Sequence, residues 1–170
     1  MARYGDPGAV QWVESGGGPL IVVPVVALPS WSGGDGDRPE TDYDRACGVD
    51  GYAGLVTVGR SRALVLGDEP ASTSFLPERG VFVRWCAAES EEELLDSVDA
   101  ALADAVWEPE QRWDVPGSVF LFDSAWPGGE LEPENHLRVE LKPGRYGVRG
   151  TYVEPNPRTS LILVQVRRVD

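Results

Sequence analysis

The 170-residue chain carries 28 acidic and 15 basic residues, a net charge of −13. Such a field repels nucleic acid and anionic membranes and attracts basic surfaces. A hydrophobic fraction of 42% with six Trp, five Tyr and four Phe excludes wholesale disorder, and fourteen Pro and twenty Gly without a repeating period exclude a collagen-like chain and predict many turns.

From the start of the chain, Met1 to Gln11 holds no basic stretch leading into an apolar segment, so no signal peptide is expected. A first short strand is predicted at about 11–13 and a second at about 20–26. The second lies in the longest apolar run, nine residues over 20–28 with Pro24 inside, which is too short to span a bilayer. Gly16-Gly17-Gly18-Pro19 precedes that strand and not a helix, and no Gly-Lys-Ser/Thr follows, so it reads as a tight turn and not as a phosphate loop. A short helix is expected at 42–47 with Thr41 as its cap. Strands follow at about 54–58, 63–66 and 81–87. Cys47 and Cys86 are the only cysteines, and with no export signal they are expected to be free thiols in a cytoplasmic protein.

The clearest periodic segment covers about 91–106. Ser90 and Glu93 form a capping-box pattern, and Leu94, Leu95, Val98, Ala101, Leu102, Ala105 and Val106 follow helical spacing on one face. Pro109 is expected to end the helix. Beyond it, strands are predicted at about 118–122, 137–141, 146–153 and 161–167. Leu137, Val139 and Leu141 alternate with charged residues, and Pro143-Gly144 supplies a turn into the next strand. The sum is an α+β, mainly β protein: antiparallel sheets, one long amphipathic helix at about 91–106 and a C-terminal β-meander. The organisation expected is an α+β part over 1–110 with a β subdomain over 111–170 packed against it.

Little in the chain points to catalysis, and no enzyme activity is expected. The single histidine, His136, sits in an acidic, Pro-containing segment and reads as a surface-loop residue. No Gly-x-Ser-x-Gly elbow surrounds any serine, and neither cysteine lies in a nucleophile motif. Two separate cysteines and one histidine do not make a zinc cluster, and Asp35-Gly36-Asp37 lacks the calcium-loop spacing, so neither metal nor cofactor is expected.

Charge is unevenly spread: residues 1–137 hold 25 acids and 8 bases, residues 138–170 only 3 acids against 7 bases. Residues 89–110 carry nine acids and no base. Glu91–Glu93 suit a helix N-terminus, whereas Asp104 and Glu108 lie near its unfavourable C-terminal end. Asp96, Asp99 and Asp104 therefore offer either a solvated face or a ridge toward a basic partner.

Trp12-Val13-Glu14-Ser15, Gly17-Gly18-Pro19-Leu20-Ile21, Trp31-Ser32-Gly33 and Asp42-Tyr43-Asp44-Arg45-Ala46-Cys47 occur in that order. Ala63-Leu64-Val65-Leu66-Gly67-Asp68-Glu69-Pro70, then Thr73, Phe75-Leu76-Pro77 and Arg84-Trp85, continue the series. Over about residues 11–90 the chain thereby resembles the immunity protein 21 family of bacterial polymorphic toxin systems. The resemblance implies a cytoplasmic antidote that binds and neutralises a cognate toxin by stoichiometric inhibition, with no catalysis of its own. The charge suits a basic target such as a nuclease domain. Candidate partner contacts are Asp68 and Glu69 in a strand-ending turn, Trp31, Tyr43, Asp44, and the helix acids Asp96, Asp99 and Asp104. Trp31, like Trp12, also fits core packing. The alternative is a small-molecule or glycan-binding β-sandwich, suggested by aromatic-rich strands and the loop Trp126-Pro127-Gly128-Gly129.

Overall fold

The computed structural model describes residues 10–37, 39–67 and 69–169. Strand β1 (Leu20–Pro24) is buried at all five positions. A strand covered on both faces needs no polar alternation, which explains the unbroken apolar sequence. Around it β2 (Ala53–Val58), β3 (Ser61–Leu66), β7 (Val119–Asp123) and β8 (His136–Val139) form a five-stranded sheet in the order β2-β3-β1-β7-β8. The second sheet has the order β4-β5-β10-β9-β6. It is built from β4 (Thr73–Leu76), β5 (Val81–Ala87), β6 (Gln111–Val115), β9 (Gly144–Asn156) and β10 (Thr159–Arg168). Every ladder is antiparallel.

The sheets face one another across a common core. Leu20, Val22, Leu64, Leu66 and Leu121 of the first meet Phe82, Trp113, Val148, Ile162 and Val164 of the second. Burying each large aliphatic side chain contributes about 1.5–3 kcal/mol relative to exposure. The outer faces are covered as well. On the first sheet Ile21, Val23, Val65 and Phe122 lie under a 3-10 turn (Val25–Ser30), Trp31 and helix α1 (Asp42–Cys47). On the second, Val81, Val83, Leu161 and Leu163 lie under helices α2 (Glu91–Asp96) and α3 (Val98–Asp104).

Helix α1 falls where the sequence places it, with a reciprocal box in which Thr41 and Asp44 cap each other's backbone N–H. The single long helix does not form. Ser97 breaks it: its hydroxyl donates to the Leu94 carbonyl at 2.6 Å, and its own N–H bonds the same oxygen at 3.1 Å. This local bonding replaces one α-turn and separates α2 from α3. The second piece stops at Asp104, where Ala105 is already extended, so Val106 stands 87% exposed and not on the apolar stripe.

The C-terminal strands are antiparallel but not a meander. Pro143-Gly144 does not close a hairpin: β8 belongs to the first sheet and β9 to the second. Local alternation sets which face is buried, yet it does not specify which sheet a strand joins. Two strands, β4 and β6, form where no strand was predicted, and the predicted strand at 11–13 is reduced to one bridge, Val13 to Thr73. Strands from either side of Glu110 share both sheets, so the two halves of the chain complete each other's ladders.

Candidate partner-binding surface

The residues singled out from the sequence divide between opposite faces of the sandwich. On the α1 face, Tyr43 and Glu69 line one shallow pocket of about 190 Å³ with Gly18, Cys47 and Pro70. A Cβ at Gly18 would meet the Tyr43 ring, so a larger residue there would push that side chain aside. The neighbouring Cys47 thiol, burial and the nearby Asp123 and Asp44 carboxylates push the Tyr43 phenol above its ordinary pKa. Asp44 is exposed and already accepts the Thr41 N–H. Asp68 lies outside the described residues.

Glu69 is held through its backbone. The fully buried Arg84 donates from Nη2 to the Glu69 carbonyl (2.6 Å), from Nη1 to the Gly67 carbonyl (2.5 Å) and from Nε to Thr73 Oγ1 (3.1 Å). One planar guanidinium thus satisfies three acceptors of the turn. Trp31 is not on this surface. It is 1% exposed, and its indole N–H donates to the Ser124 carbonyl at 3.0 Å inside the outer core of the first sheet.

On the opposite face much of the acidic charge of 89–110 is used internally. Asp99 takes a bidentate bond from Arg79 at 2.6 and 3.0 Å, which holds its carboxyl below the usual carboxylate range. Glu93 accepts from Thr159, Glu108 from the Tyr52 N–H, and Glu110 pairs with Arg167. The basic C-terminal segment therefore answers part of the acidic one within the fold. Asp96 and Asp104 remain exposed, with no ion pair among the described residues.

A larger cleft than the one at Tyr43 lies elsewhere, and the sequence reading missed it. A cleft of about 670 Å³ opens between the Val10–Glu14 segment, the end of β5, the start of α2 and the edge strand β8. Its aromatic wall is Trp12 against Trp85, ring centroids 5.4 Å apart and inclined at 64°. The Trp12 N–H donates to Glu91 Oε1 at 2.5 Å. Asn135 straps the segment to the first sheet, its amide pairing with both the N–H (2.7 Å) and the carbonyl (2.9 Å) of Glu14.

His136 lines the cleft as the first residue of β8, not as a loop residue. Its Nδ1 lies 2.7 Å from the Glu132 carbonyl and its ring 5.6 Å from that of Phe120. Trp12 and Trp85 both stand among the family-like words of the sequence. Their separation of more than seventy positions hides the fact that they meet.

Among the described residues, no group of three or more His, Cys, Asp or Glu side chains is placed to hold a metal ion, and no helix is long and apolar enough to cross a membrane. The chain belongs to the immunity protein 21 family, whose sequence model matches residues 11–159. The match runs well past residue 90 and takes in strands of both sheets, β7 to β9 included. No curated protein and no solved structure matches the chain.

Proposed function

We propose that this protein binds a cognate polymorphic toxin in the cytoplasm of the producing cell and neutralises it by occupancy, one molecule per toxin, without turnover. The observation that carries this reading is the family match over residues 11–159, which takes in both sheets of the sandwich. The surplus of 28 acids over 15 bases supports a basic target, and a nuclease domain is the toxin class proposed. The contacts proposed from the sequence are Glu69, Tyr43 and Asp44 on the α1 face, Asp96, Asp99 and Asp104 on the α2–α3 face, and Asp68, which lies outside the described residues. Trp31 is withdrawn from this set because its ring is enclosed.

The reading is tested by co-expression with the toxin domain encoded beside this chain's gene. Cells should survive only when the antidote is present, and the two proteins should co-purify at equal stoichiometry. Survival without any complex between them would contradict it.

A further inference from the structure

We propose that the Trp12–Trp85 cleft is the seat of a cationic segment of the toxin, an Arg or Lys side chain lying on the indoles with its charge among the surrounding carboxylates. This deepens the reading under Proposed function and rests on it. Three features of the cleft support such an occupant.

The first is preorganisation. Trp12 is fixed at both ends, through its indole bond to Glu91 and through the Asn135 strap on Glu14 two residues away. Little ordering entropy is then left to lose on binding.

The second is charge. Among the described residues, Glu14, Glu89, Glu91 and Glu134 line the cleft against a single arginine, Arg138. That guanidinium is already engaged, with Glu140 Oε1 at 2.6 Å and with the Phe120 ring at 5.6 Å. Among the described residues Glu89 has one ion-pair partner, Arg158 at 3.9 Å, and Glu14 and Glu134 stand exposed. The rim therefore presents uncompensated negative charge to an approaching cation.

The third is shape. Two half-buried indoles set edge to face leave ring surface for a guanidinium or ammonium, which the aromatic quadrupole attracts. A volume of about 670 Å³ accommodates several side chains of a segment and not merely one ion. Aromatic anchors with arginine partners are the usual dominant contacts of protein interfaces. The outer helix face has a pocket lined by Glu92, Glu93, Asp96 and Arg158, but no aromatic ring among the described residues lines it.

The test measures binding kinetics of the full chain with the toxin domain encoded beside its gene, at low and at physiological salt. Glu89→Gln with Glu134→Gln keeps shape while removing rim charge. It should slow association about tenfold at low salt and flatten the salt dependence. Trp85→Ala should speed dissociation by about thirtyfold or more. Asp35→Asn with Glu78→Gln removes the same charge from exposed sites outside the cleft and should match wild type. Because Trp85→Ala can disturb folding, amide exchange on the wild-type complex provides an independent readout. Protection should appear at 10–14, 85–91 and 134–138. Wild-type kinetics in the cleft variants with protection elsewhere would overturn this proposal while leaving the immunity reading intact. Absence of any wild-type binding would overturn both. Binding of an uncharged oligosaccharide or of a second copy of this chain in the cleft, lost in Trp85→Ala while toxin binding persists, would also overturn it.

Discussion

Arg84 carries more of the local structure than any residue chosen from the sequence. It is fully buried and braces the turn that bears Glu69 from below, by way of the Gly67 and Glu69 carbonyls and the Thr73 hydroxyl. A lysine has the same charge but one nitrogen, and it cannot reproduce that fork. Arg84→Lys should therefore cost about 1.5–3 kcal/mol, the worth of one hydrogen bond to a charged group, as measured by urea unfolding. An unchanged midpoint would mean that the fork is redundant.

The two thiols offer a second test at the same scale. Cys86 is half-buried, and burial first, then the Glu69 carboxylate, pushes its pKa up to about 11. Cys47 is exposed on α1. Only the thiolate attacks a disulfide reagent, and the exposed Cys47, open to the reagent, should react fast. Cys86 should react at least tenfold more slowly, with its rate still climbing as pH rises toward 11. Equal rates at pH 8 would contradict the burial of Cys86.

At the scale of elements, the helical pair α2–α3 illustrates what a pattern can and cannot convey. The stripe Leu94, Val98 and Ala101 is buried on the second sheet as the spacing predicts, while Leu102 is only half-buried. Leu94→Ala should cost about 2–5 kcal/mol and Leu102→Ala distinctly less, both read from chemical denaturation. A larger loss at Leu102 would place the helix face differently. The break at Ser97 was not legible, because a serine inside a helical run either points to solvent or bonds back to the preceding turn. The choice depends on what the helix must lie against.

The strands repeat this lesson. β1 and β3 were legible as apolar runs; β4 was not, because its four residues in a hairpin with β5 are too few for a periodic signal, and neither was β6, which pairs with the distant β9. The bridge between Val13 and Thr73 and the meeting of Trp12 with Trp85 are contacts of that kind. For the same reason the cleft was invisible while its separate words were not. Pro143-Gly144 signals a turn correctly, but the same turn chemistry serves a hairpin or a passage between sheets.

For the whole molecule, the charge imbalance along the chain takes on a different meaning once folded. Arg158 and Arg167 of the basic C-terminal segment face Glu89 and Glu110 of the acidic stretch, and Arg145 faces Asp114 just beyond it, so part of the asymmetry is neutralised within the protein. These pairs are exposed and contribute little each to stability. What is left over includes Glu14 and Glu134 at the cleft and exposed acids elsewhere, such as Asp35, Asp44, Asp96 and Asp104. The interleaving of the two sheets also explains why family similarity reaches residue 159: the N-terminal words have no complete sheet without the C-terminal strands.

The central claim, neutralisation by occupancy, is tested most directly by titrating a fixed amount of the purified toxin with this protein and following residual toxin activity. At concentrations well above the dissociation constant, activity should fall in a straight line and reach its floor at one equivalent. Full loss of activity at a small fraction of an equivalent, growing with incubation time, would mean that the protein destroys the toxin catalytically and would contradict the account.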